Sequence, residues 1–208
     1  SGMIHPDMAT TLGFVTTDAA IPPDVLRACL VRAVDRSFHC VTVDGDTSTN
    51  DMVAVMAGGA SGVDVTEGDD LVAFETALTG VLADLARQVA ADGEGATRLI
   101  EVVVTGAPDE DDARKVARTV SGSPLVKTAL FAGDPNWGRI LAAVGRAGLD
   151  ALDIAQVRIS LDEVLIVGHS SGAQLAVSVV ADILRLKRLQ GTGPALSLLT
   201  LGQVIPMI

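Results

Sequence analysis

Ala9-Thr10, at the end of Gly2-Met-Ile-His-Pro-Asp-Met8 and the start of a threonine-rich run, is the pair whose residue types could do chemistry. A threonine hydroxyl is a weak nucleophile unless a base lies beside it. One way to supply that base is to cut the preceding peptide bond and free the residue's own α-amine. A small residue such as Ala9 leaves room for the Thr10 hydroxyl to reach that bond. By residue type alone the pair also reads as a strand start with two solvated threonines. Glu94, in Asp92-Gly-Glu-Gly95, offers a carboxylate that could grip an ammonium group by a charge-assisted hydrogen bond. The bland alternative for Glu94 is a solvated acid just past a helix.

Other polar clusters point to structure. In Asp44-Gly-Asp-Thr-Ser-Thr-Asn-Asp51 the acids alternate as calcium ligands do. The glycine falls at the second position of the loop, however, and Val55 stands where a closing glutamate would be needed. The loop reads as side chains hydrogen-bonded to backbone, fixing a turn near the reactive pair. The three histidines, His5, His39 and His169, have no paired ligand spacing, so no metal site is expected. No phosphate-cradling glycine fingerprint is present, which argues against a nucleotide-binding fold. Asp134-Pro-Asn-Trp-Gly-Arg139 reads as a turn into a helix with Trp137 as a core anchor.

These residues must be held by a scaffold. Residues 10–18 suit a strand, and Pro22-Pro23-Asp24 opens a helix whose apolar positions recur at three and four. A short strand is expected at Cys40–Val43, and Met52–Met56 is expected to begin a second helix. A long helix runs from Gly68 to about Ala91 on the stripe Leu71, Phe74, Leu78, Val81, Leu82, Leu85 and Val89, ended by Asp92-Gly93. Strand character is expected at Arg98–Thr105, Leu125–Phe131 and Val157–Val167. Helices are expected after the acids Asp109–Asp112 and near Asn136–Val144. The elements interleave without a strict βαβ rhythm, which makes the fold class α+β.

Composition narrows the function classes. The chain has 208 residues, 49% of them hydrophobic, enough for one substantial core. Its mean hydropathy is +0.44. No window approaches the roughly 18 apolar residues that a membrane span needs. A net charge of −11 and an aromatic content of 2% argue against a nucleic-acid partner. Cys29 and Cys40 lack CxxC spacing and read as reduced, buried thiols of a cytoplasmic protein. The opening Ser1-Gly2-Met3 reads as the interior of a longer chain.

The run Ser1-Gly-Met-Ile-His-Pro-Asp-Met-Ala-Thr-Thr-Leu12 resembles the cleavage-site motif of the ornithine acetyltransferase family. Three further segments agree in order and spacing: Phe38 to Asp51, Asp92-Gly-Glu-Gly-Ala-Thr-Arg98, and Val126 to Arg139. The resemblance covers residues 1 to about 165. It implies N-terminal-nucleophile enzymes of arginine biosynthesis, with relatives in clavulanic acid clusters, and layered sheets flanked by helices. It also implies a precursor cut between Ala9 and Thr10. Thr10 would then carry an acetyl group from N-acetylornithine to glutamate, with Glu94 binding substrate. Residues 1–9 would end an α chain, the rest would be the β chain, and the assembly would be (αβ)₂. The family's substrate lysine and oxyanion-hole pair fall upstream of Ser1. Each missing oxyanion donor is worth about 10²–10³ in rate, so the chain alone is expected to be inactive.

After Val167 the family pattern is expected to stop. Glu163-Val-Leu-Ile-Val-Gly-His-Ser-Ser-Gly172 and the apolar stretch behind it resemble an α/β-hydrolase strand, sharp turn and helix, with Ser170 in the nucleophile position. No histidine follows His169 to complete a triad. Residues 166–208 are therefore expected to be an atypical tail. The alternatives to the transferase are a non-catalytic interaction lobe and, further off, a serine hydrolase fragment.

Overall fold

Two six-residue runs, one on each side of an amphipathic helix, decide the first half of the molecule. The computed structural model describes residues 2–161, 163–169 and 195–201. It divides into two units, residues 1–94 and 95–208. In the first, β1 (Leu12–Thr17) runs parallel to β2 (Met52–Ala57), in a register that sets Leu12 beside Met52 and Thr17 beside Ala57. A parallel pair needs a long crossover, and α1 (Pro23–Asp35) lies within it. The helix expected at Met52–Met56 is thus a strand. A short apolar run does not declare its period, and here β1 supplies the partner that makes it a ladder.

One face of this pair packs inward. Val15, Val53 and Val55 lie against a cluster of Cys29, Ala33, Leu78 and Leu82, drawn from α1 and from α2 (Gly68–Ala91). The other face stays open, with Leu12 69%, Phe14 61%, Met52 44% and Met56 53% exposed. Of the expected α2 stripe, Leu71, Phe74, Leu78, Leu82 and Leu85 join the cluster, whereas Val81 is half-exposed and Val89 lies outside it. Arg32 of α1 reaches Glu75 of α2 through Nε at 2.8 Å and Nη2 at 2.5 Å. The expected strand at Cys40–Val43 is absent. Phe38–Cys40 is a 3₁₀ turn, and the Val43 amide donates to the Ile4 carbonyl at 2.9 Å, so it serves the site below. Of the two free thiols only Cys29 is buried, where desolvation pushes its thiol up; Cys40 is exposed, which corrects its expected burial.

The second unit is built on three capped helices. Asp109 accepts from the Asp112 amide at the start of α3 (Glu110–Ser121). Ser123 does the same for Val126 in α4 (Pro124–Phe131), and Asn136 for Arg139 in α5 (Trp137–Gly145). Ser at the cap with Pro in the first turn is why Leu125–Phe131 is a helix where a strand was expected. Val116, Val120, Val126, Ala143 and Val144 form the core between them. Trp137 is 66% exposed and anchors no core, which corrects its expected role. The guanidinium of Arg98 donates to the Leu130 carbonyl at the end of α4, where a cation suits the helix dipole.

Residues 98–105 are not a strand, because they join no sheet ladder among the described residues. The alternation is nevertheless there, with Val102 and Val104 against the core and Val103 75% exposed. Residues 157–161 are irregular, and β3 (Glu163–His169) begins only afterwards, parallel to β4 (Ala195–Leu201). The turn and helix expected after β3, with Ser170, lie outside the described residues.

Candidate active site

The segment before β1 is folded onto the loop before β2. Met3 and Asp7 both have left-handed backbone, at φ 54° and 73°. Aspartate tolerates this by local hydrogen bonding, but methionine does not, and its conformation must be held from outside. Asp44 holds it. Its Oδ2 accepts from the Met3 amide at 2.6 Å, and its Oδ1 from the amides of Ile4 at 3.2 Å and Asp46 at 3.0 Å.

Burial raises the Asp44 carboxyl, but the amides of Asp46, Met3 and Ile4 more than offset this and hold it below the ordinary aspartate range. A carboxyl depressed in the fold contributes stability that is complete above its unfolded-state value and is lost as pH falls through the folded value. The tie from Asp44 to Met3 therefore survives mild acid and opens only below the ordinary carboxylate range. Amide exchange of Met3 and Ile4, followed by NMR down the pH scale, should show protection lost at a lower pH than free aspartate titrates. Protection lost at or above that range would contradict the assignment.

Thr10 sits at the end of this folded segment, exposed and just before β1. Its amide donates to the Met3 carbonyl at 2.9 Å, and its Oγ1 donates to the same oxygen at 3.3 Å. The peptide before it is clamped. The Ala9 amide donates to Asp51 Oδ2 at 3.1 Å, the Ser48 amide to the Met8 carbonyl at 2.8 Å, and Ala9 itself is 8% exposed. On the far side the Met52 amide donates to the Thr11 carbonyl at 2.9 Å. A carbonyl can orient a hydroxyl but cannot deprotonate it. Sharing one acceptor does, however, put the Thr10 nitrogen and hydroxyl on the same side of the residue.

Glu94 closes one corner. A Cβ placed on Gly2 would lie 3.2 Å from Glu94 Oε2 and 3.5 Å from Asp44 Oδ2, so the bare glycine admits two carboxylates side by side. Gly93 is also required by space, since a Cβ there would come within 2.9 Å of Val43 Cγ1 and 3.2 Å of the Ala90 carbonyl. The expected site residues Ala9, Thr10 and Glu94 thus gather around the segment 2–10. Glu94 is one residue removed from the carbonyl that holds Thr10.

A sequence profile described as the ArgJ family matches residues 1–190. The chain belongs to the ArgJ family. It is 57% identical over 169 residues to the "Arginine biosynthesis bifunctional protein ArgJ" of Methylococcus capsulatus, covering 80% of this chain and 41% of the relative. With the protein of the same name from Lactococcus lactis it shares 43% over 192 residues, 91% of this chain and 48% of the relative. The chain thus spans less than half the length of these curated relatives. Among solved structures it is similar to the Bacillus halodurans arginine biosynthesis bifunctional protein argJ, with a TM-score of 0.67 and 35% identity over 94% of this chain and 91% of that one.

The ArgJ match runs on to residue 190, past the point near Val167 at which the resemblance was expected to end, so Gly168–Gly172 lies inside the matched range. Within the site, residue-by-residue reading missed the Met3 carbonyl, the particular bonds of Asp44 and Asp51, and the His39 imidazole. That imidazole lies 2.9 Å from the Asp35 carboxylate and 3.2 Å from that of Asp7. The Asp-rich loop was the available signal for the carboxylates, and it does fix its turn by side-chain-to-backbone bonds as expected. Among the described residues no group of His, Cys, Asp or Glu could hold a metal ion, and no helix is long and apolar enough to cross a membrane.

Proposed function

We propose that Thr10 is the nucleophile of an acetyl transfer that serves arginine biosynthesis, and that it is armed by scission of the bond in front of it. The observation that carries this is the shared hydrogen-bond acceptor, which sets the Thr10 hydroxyl beside its own nitrogen. In the first step Oγ1 adds to the Ala9 carbonyl carbon, the C–N bond breaks, and the hydroxyl proton ends on the nitrogen. Water then cleaves the ester, leaving a carboxyl on Ala9 and restoring the hydroxyl next to a free amine. That amine takes the hydroxyl proton as Oγ1 attacks the acetyl carbonyl of N-acetylornithine, and the ornithine amine leaves protonated. The glutamate amine attacks the resulting ester and regenerates Thr10. Glu94 binds the ammonium group of the amino-acid substrate. The acyl group rides on Thr10, so the reading assigns no cofactor.

The partner in this reading is the upstream half of the same precursor, in an (αβ)₂ assembly. Two observations support such a partner. The β1–β2 face exposes Leu12, Phe14, Met52 and Met56 together, a grouped apolar face of the kind a partner covers. Residues 98–105 alternate like a strand without a ladder. A partner sheet over the β1–β2 face would suit the layered, N-terminal-nucleophile fold that the resemblance implies. Two free thiols suit a reducing, cytoplasmic setting.

A second reading, a non-catalytic interaction lobe, is favoured by the exposed apolar side chains Leu12, Phe14, Met52 and Met56 on one sheet face. Intact mass of the chain co-expressed with the upstream half separates the two. A species beginning at Thr10 that gains an acetyl group from N-acetylornithine is expected. Neither scission nor adduct would select the lobe. Labelling of Ser170 by a fluorophosphonate would instead revive the hydrolase reading.

A further inference from the structure

The segment before Thr10 is anchored by residues that follow Thr10. Asp44 accepts from Met3 and Ile4, Val43 donates to Ile4, Ser48 to Met8, and Asp51 accepts from Ala9. His5 Nδ1 pairs with Thr42 Oγ1 at 3.1 Å, and the His39 ring reaches the Asp7 carboxylate. Ile4 is 2% exposed and Pro6 is buried. None of these contacts runs through the Ala9–Thr10 bond, so cutting it removes no anchor. Met3 has a distinct place among them. Its left-handed backbone turns its carbonyl onto both the nitrogen and the hydroxyl of Thr10, and Asp44 fixes the amides on either side of that carbonyl.

We propose that the Met3 carbonyl is a lasting part of the acyl-transfer site, receiving the Thr10 amide before scission and the freed α-amine after it, with Asp44 as the positioning residue that holds it. This rests on Thr10 being the nucleophile. A chain-terminal residue turns freely about its Cα–C bond, which swings the new amine away from the site. A fixed acceptor shared by the amine and Oγ1 removes that freedom and sets the side-chain rotamer, so both groups stay in the site with the amine placed to take the proton. The peptide cut from the front of Thr10 is thereby retained as a working wall of the site.

The test uses the full precursor, allowed to process to completion, with Asp44→Ala and the isosteric Asp44→Asn. Acetylated Thr10 is counted by intact mass, and kcat is expressed per labelled site, so that a folding defect lowers the count and not the rate. Asp44→Ala should lower kcat per site by about tenfold or more with KM within about twofold, because the amine is misplaced while substrate contacts stay. Asp44→Asn keeps an acceptor oxygen and should recover part of that loss. An unchanged kcat per site in Asp44→Ala overturns the proposal and leaves Thr10 as nucleophile. Wild-type protein that never carries acetyl on Thr10 overturns the nucleophile reading itself.

Discussion

Replacing Thr10 with alanine is expected to leave the precursor in one piece and to remove acetyl labelling, with transfer falling by at least about 10³-fold, the scale seen when a nucleophile is deleted. The structure makes this a clean measurement. Thr10 is exposed, and among the described residues its hydroxyl bonds only to the Met3 carbonyl, which also receives the Thr10 amide. Loss of the hydroxyl therefore orphans no buried group, and the cost to stability should stay within about 0.5 kcal/mol. Any large loss of function is then chemical. Thr10→Ser keeps the oxygen and gives up the methyl that restricts its rotamer, so it should still cut and still label, more slowly. Intact mass before and after N-acetylornithine reads both steps in one sample. Acetyl trapping retained by the alanine variant would remove Thr10 from the mechanism.

The candidate pair could be proposed from sequence because it is local. Ala9-Thr10 and its flanking run are contiguous in sequence, and the long helix at Gly68–Ala91 declares itself through one periodic stripe. The groups that hold the pair were harder to see. Asp44 and Met3 are 41 residues apart, and nothing in their types announces that one carboxylate will cap two amides across that gap. Elements at the margin of their length were also ambiguous. Met52–Ala57 has an apolar character that suits either period until β1 supplies a ladder, whereas Leu125–Phe131 becomes a helix through Ser123-Pro124. Trp137 misled for a simpler reason. Residue type predicts burial on average, and a large aromatic at the first position of a helix can face outward.

The second large effect is on stability, and it belongs to Leu82. This side chain is fully buried, at 0% exposure, between α1 and α2, where Cys29 and Ala33 are also at 0%. The small residues on α1 let the two helices approach, and Leu82 fills the space so formed. Truncation to alanine removes its transfer free energy and leaves a cavity that closely packed helices can only partly close, a cost of about 2–5 kcal/mol. Such a loss is comparable to much of the stability of an ordinary domain. Urea unfolding of the purified protein should show the midpoint falling with the slope unchanged. Leu82→Met, close in volume, should cost less than about 1.5 kcal/mol. The consequence reaches the site through the sheet. Val15, Val53 and Val55 rest on this same cluster, β1 begins two residues after Thr10, and β2 begins immediately after Asp51. A core that loosens under Leu82→Ala should therefore slow scission as well as lower the midpoint, whereas scission at the wild-type rate in a destabilised variant would show that the loop before β2 is held independently of the core.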